Sequence, residues 1–128
     1  MFNKMRILVG CDGSVQSKRA LDEAISIAEK FSGFIKVVTV FSKGKEKKAE
    51  SIISEAKQIL EKEKIKNETI MVENSNASKT LYTIAKQENF DLIVVGSRGL
   101  GNKVSILLGS ISKKVVSDSY CNILVVKK

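Results

Sequence analysis

The sequence predicts an α/β fold: an open five-stranded parallel sheet with helices on both faces, strand order 3-2-1-4-5 and the alternation βαβαβαβαβ. Short β-branched runs take turns with stretches of helical periodicity, which implies parallel strands joined by right-handed crossovers. The apolar runs are continuous rather than alternating, as in strands covered on both faces. Glycine-containing loops follow the first and fourth runs, which this strand order makes neighbours at the point where ligands bind open α/β sheets.

The first strand is read in MRILVG (5–10) and is followed by a helix whose core stripe is Ala20, Leu21, Ala24, Ile25 and Ala28. These positions have the i, i+3, i+4 spacing of one helix face. The pair SG (32–33) stops that helix, and FIKVVTVF (34–41) is the second strand. Ala49, Ile52, Ile53, Ala56, Ile59 and Leu60 mark the second helix, followed by ETIMVE (68–73) as the third strand. Leu81, Ile84 and Ala85 mark a third helix, and DLIVVG (91–96) is the fourth strand. Ile111, Val115 and Val116 mark a fourth helix before the closing strand NILVVK (122–127).

Composition narrows the function. The 128 residues fit one domain, read as spanning 1–128, with no linker, repeat or low-complexity tract. No apolar run approaches the roughly 18 residues of a membrane span, and MFNKMRILVG does not resemble an export signal, so a cytoplasmic protein is expected. Cys11 and Cys121 fall at opposite edges of the predicted sheet, too far apart for a disulfide, and are read as free thiols. The chain has no histidine, which removes His-based triads, His metal sites and His acid/base catalysts.

The formal net charge of +8 favours anionic ligands. It is spread along the chain; the one dense run, KGKEKK (43–48), lacks interleaved aromatics and reads as a solvated loop and helix start. Nucleic acid is therefore not the expected partner. Four of the eight glycines fall within GSRGLGNKVSILLGS (96–110). Gly96 and Gly99 suit a tight turn at the end of the fourth strand, and Gly109 and Ser110 suit the entrance of the following helix. There, free backbone N–H groups and the helix dipole would hold a phosphate, with Arg98 and Lys103 as nearby cations. In the plainer reading, Ser110 or Ser112 caps the helix and the glycines are turn punctuation.

The stretch matches neither G-x-x-x-x-G-K-[ST] nor G-x-G-x-x-G. Its spacing, Gly96-x2-Gly99-x9-Gly109-Ser110, resembles the ATP-binding motif of the universal stress protein family. ILVGCDGS resembles that family's opening strand and Asp loop, DLIVVGSRG its fourth strand and NILVVKK its closing strand. The resemblance implies the ATP-binding branch, with ATP and Mg2+ or Mn2+ as ligands. It implies that Asp12 contacts the nucleoside and helps position a metal through the phosphates. It further implies that Val40 lies against adenine, and that Gly96, Gly99, Gly109 and Ser110 hold the phosphates, beside the Arg98 cation. Asp12 also fits a turn or N-cap role, and Val40 a core role. Where family members often carry a Gly-x-Pro-like turn, this chain reads ENSNAS (73–78), leaving Met71, Val72 and Glu73 as alternatives for bordering the base.

The resemblance also implies a homodimer through the closing strand, paired antiparallel across a two-fold axis; Lys127 and Lys128 blunting that edge is the monomer reading. Without histidine, Asp12 and Glu73 are the only carboxylates to weigh as bases beside Arg98 and Lys103, and neither is marked as catalytic. The expected function is a nucleotide-dependent sensor or switch in stress response that acts on an unidentified protein partner, with at most weak ATP hydrolysis. The alternatives are a basic partner- or nucleic-acid-binding module and a slow ATPase or phosphotransferase.

Overall fold

The computed structural model describes residues 4–97 and 121–127. The elements run β1 (Arg6–Gly10), α1 (Val15–Phe31), β2 (Phe34–Phe41), α2 (Glu46–Lys62), β3 (Lys66–Glu73), α3 (Ala77–Gln87), β4 (Leu92–Gly96) and β5 (Asn122–Val126). All four pairings are parallel and the strand order is 3-2-1-4-5, as the sequence predicts. The predicted fourth helix, with Ile111, Val115 and Val116, lies outside the described residues.

Alternate strand residues divide the core into two layers, as the two-residue period of a strand requires. Ile7, Val9, Ile35, Val37 and Val94 pack on one face with the stripes of α1 and α2. Leu8, Val38, Ile93 and Val95 pack on the other with Leu81 and Ala85 of α3. The α1 stripe is buried at all five predicted positions. In α2, Ala49, Ala56 and Leu60 are buried, while Ile52, Ile53 and Ile59 are half-buried at the rim. The 43–48 run is exposed and leads into α2, as expected.

Three details differ from the sequence reading. Strand β3 begins at Lys66, two residues early, because Lys66 and Asn67 continue the backbone register with Phe34 and Ile35 whatever their polarity. Strands β3 and β5 are only half-buried despite their apolar sequences, since each occupies an edge of the described sheet. At the end of α1 the left-handed residue is Ser32, at φ 53°. Gly33 is needed for space, because a Cβ there would meet Ala28 Cα and Met5 O, each at 3.1 Å.

Charge is buried at the N-terminal edge. Lys36, 5% exposed, donates from Nζ to both carboxylate oxygens of Glu88 at 2.9 and 3.0 Å and pairs with Glu68 at 3.4 Å. Beside it the Arg6 guanidinium lies 5.1 Å from the Phe34 ring centroid and 4.6 Å from that of Phe90, and its Nε donates to Glu88 O. The Asp91 carboxylate accepts from Arg6 N at 2.8 Å. These contacts tie the end of α3 to β1 and β2. A buried cation that loses its partner costs more than one replaced by an apolar isostere. Glu88→Ala is therefore expected to lose about 2 kcal/mol in urea unfolding, and Lys36→Met to stay within about 1 kcal/mol of the parent. Equal losses in the two variants would contradict this assignment.

Candidate functional site

A cleft opens at the C-terminal edge of the sheet, where β1 sits between β2 and β4. The end of β1 contributes Gly10, followed by Cys11 and Asp12; β2 contributes Val38 and Val40, and β4 contributes Val95 and Gly96. Ala77 and Leu81 close it from α3. The walls are apolar and Asp12 brings the one acidic side chain among the described lining residues, the usual character of a small-molecule site.

Two glycines shape this cleft for different reasons. A Cβ on Gly10 would sit 2.9 Å from Leu81 Cδ1 and 3.4 Å from Val95 Cγ1, both ends of side chains. A Cβ on Gly96 would sit 2.5 Å from the Gln16 carbonyl carbon and 2.6 Å from Ser17 N, which are backbone atoms of α1. Gly96 pairs with Val126 as an ordinary strand residue, and the positive-φ glycines among the described residues are Gly13 and Gly44. The tight-turn reason given to Gly96 is thus replaced by close approach: the first turn of α1 lies against the end of β4.

Asp12 holds that turn in place. Its Oδ1 accepts from Ser14 N at 3.0 Å, and Gly13 adopts φ +88°, a left-handed conformation suited to glycine. Ser14 is the N-cap of α1, its Oγ accepting from Ser17 N at 3.1 Å, and Ser17 Oγ donates back to Ser14 O. The carboxylate is half-buried, and its second oxygen has no hydrogen-bond partner among the described residues. Asp12 is therefore a turn former whose second oxygen makes no hydrogen bond among the described residues.

Cys11 and Cys121 are free, as expected. Burial, helped by the carboxylates of Asp12 and Glu55, pushes the Cys11 thiol up to about 12. Burial and then Asp91 raise Cys121 to about 11, against a backbone hydrogen bond at Ile93 that lowers it. Both are neutral thiols near pH 7, and Cys11 acts as an apolar lining group rather than a nucleophile. Among the described residues no group of three His, Cys, Asp or Glu side chains is arranged to hold a metal ion.

The structure brings Asp12, Val40 and Gly96 to one cleft. Met71, Val72 and Glu73 are not among its lining residues; Val72 packs in the α3-side core layer instead. Strand β3 is two strands from the switch point, so the third wall comes from α3, which crosses back over β2 and β1. Ala77 and Leu81 of α3, with Val38 and Val95 of the strands, are lining side chains that sequence reasoning did not place at the site. Arg98, Gly99, Lys103, Gly109 and Ser110 lie outside the described residues.

Comparison with known proteins agrees with this geometry. Residues 4–127 match the sequence profile of the universal stress protein family. The chain is 31% identical to Universal stress protein YxiE of Bacillus subtilis, over 99% of this chain and 100% of that one. A universal stress protein family structure from Burkholderia pseudomallei superposes with a TM-score of 0.77 at 20% identity, covering 94% of each chain. Another, solved in complex with cAMP, superposes with a TM-score of 0.69 at 26% identity, covering 95% of this chain and 96% of the other.

The two glycines have separable roles in stability. Gly96→Ala sets a Cβ against helix backbone and is expected to cost about 3 kcal/mol, whereas Gly10→Ala displaces only side-chain ends and is expected to cost about 1 kcal/mol. Denaturant unfolding of both variants measures the difference; a tolerated Gly96→Ala would contradict the close approach.

Proposed function

The chain belongs to the universal stress protein family, and we propose that its C-terminal-edge cleft binds ATP as the input of a nucleotide-dependent switch in stress response. The observation that carries this reading is the convergence of Asp12, Val40 and Gly96 on one apolar cleft at the sheet's switch point. The related structure in complex with cAMP supports an adenine nucleotide as the ligand class.

In this reading the adenine ring lies against Val40, between the ends of β1 and β2 and the Leu81 side chain. The free oxygen of Asp12 accepts from the ribose hydroxyls. Gly96, Arg98, Gly99, Gly109 and Ser110 hold the phosphates through backbone N–H groups and cationic charge. With Asp12 as the one carboxylate at the cleft among the described residues, a Mg2+ or Mn2+ ion takes its ligands from phosphate oxygens and water, and Asp12 helps position it. Asp12, the one carboxylate in the described lining, serves the turn and the ribose in this reading, which therefore takes any ATP hydrolysis to be weak. A single cytoplasmic domain spanning 1–128 would signal by binding nucleotide better in one state than another, changing its contacts with a protein partner.

Calorimetric titration of nucleotide-stripped protein with ATP and Mg2+ tests the reading. Saturable binding is expected, weakened about tenfold by Asp12→Asn, whose amide oxygen can still accept from Ser14 N and so keeps the turn. Gly109→Val is expected to abolish it. No saturable heat, or unchanged binding in Gly109→Val, would overturn the proposal.

The same reading makes the protein a homodimer through β5. That strand pairs with β4 alone among the described strands and keeps Ile123, Leu124, Val125 and Val126 only half-buried. Sedimentation at tens of micromolar is expected to give a dimer; a monomer at that concentration would contradict the assembly.

A further inference from the structure

A second concavity opens on the α2 side of the same edge, divided from the nucleotide cleft by Asp12 and Val40, which border both. Thr39 forms its floor, Phe41 and Ser42 one wall, and Lys45, Lys48 and Ile52 another.

Three observations point to a ligand there. Thr39 is 2% exposed, and its Oγ1 is buried with no hydrogen-bond partner among the described residues. Because Val38 and Val40 face α3 while Val37 faces the α1 and α2 side, strand alternation turns the Thr39 side chain toward α2 and this concavity. Buried hydroxyls are nearly always paired, so an orphan beneath a concavity marks a missing partner. Next, Ser14 caps α1 and Asn76 caps α3, whereas Lys45 at the start of the 17-residue α2 makes no side-chain cap. The N–H groups of its first turn remain donors without a helical acceptor. Finally, Lys45 and Lys48 are exposed, and neither forms an ion pair among the described residues.

Hydroxyl, backbone N–H and ammonium groups can all donate, and the ligand that complements them is an oxyanion. We propose that this concavity is a second anion site, distinct from the nucleotide cleft, which takes free phosphate or a small phosphate monoester. The anion sits at the first turn of α2 between Lys45 and Lys48 and supplies the acceptor that Thr39 lacks. Asp12 on the opposite wall accepts only, so an ester would turn a hydroxyl toward it. No bond is made or broken; the site binds.

An amide NMR titration with inorganic phosphate, at constant ionic strength balanced by chloride, tests the proposal. Saturable shifts are expected at Thr39 and residues 46–48, weakened at least about tenfold by the Lys45→Gln/Lys48→Gln pair and by Thr39→Val. Thr39→Val is also expected to leave the thermal midpoint unchanged or higher, since it removes a hydroxyl with no partner. Parallel titration with glycerol phosphate separates the two sources: tighter binding assigns an ester, and equal or weaker binding assigns free phosphate. Repeating the titration under saturating ATP should leave the shifts unchanged. This readout is independent of whether ATP binds at all. The proposal is overturned by absence of saturable shifts at those amides, by unchanged affinity in the lysine pair, by displacement with ATP, or by a lowered midpoint in Thr39→Val.

Discussion

The close approach of the first turn of α1 to the end of β4 is the constraint on which the rest of the structure depends. It requires a residue without a side chain at Gly96, where a Cβ would lie 2.5 Å from a carbonyl carbon of the helix. The loop between β1 and α1 reaches that contact through the left-handed Gly13 and the Asp12 turn. The same contact seats β1 against β4 and leaves the crevice between their ends open above Gly10. A bulkier residue at either position would fill the space that the cleft occupies or push apart the elements that bound it.

The two ends of the sheet are built for different tasks. At the N-terminal edge, Arg6, Lys36, Glu88 and Asp91 are joined by short polar contacts and covered by Phe34 and Phe90. At the C-terminal edge β1 and β4 end in glycine, and a capped turn leads from β1 into α1. At one edge the buried charge is paired internally and is costly to break, and at the other the strand ends line the cleft. Asp12 belongs to both descriptions, since one oxygen holds the turn and the residue also lines the cleft.

The strand order and all the described elements were legible because buried parallel strands and amphipathic crossover helices carry different periods, and few topologies combine them. Asp12 and Val40 were singled out through the family resemblance, and Gly96 through the glycine spacing after the fourth strand; the structure brings all three to one cleft. The physical reason for Gly96 was not, because a glycine that admits a neighbouring backbone looks the same in sequence as one that makes a turn. Lys36 was hidden within an apolar run, and its partner Glu88 is 52 residues away along the chain. Ala77 and Leu81 were hidden too: periodicity marks Leu81 as a core residue, but only the path of α3 back across β2 and β1 brings it to the cleft. The orphaned hydroxyl of Thr39 has no sequence signal, since a strand threonine is ordinary until its surroundings are known.

A crystal structure of the protein grown with ATP and Mg2+ tests the central claim most directly. The account predicts adenine packed between Val40 and Leu81 with the ribose hydroxyls within hydrogen-bond distance of Asp12. Nucleotide bound away from this cleft, or bound within it without contact to Asp12, would contradict the account.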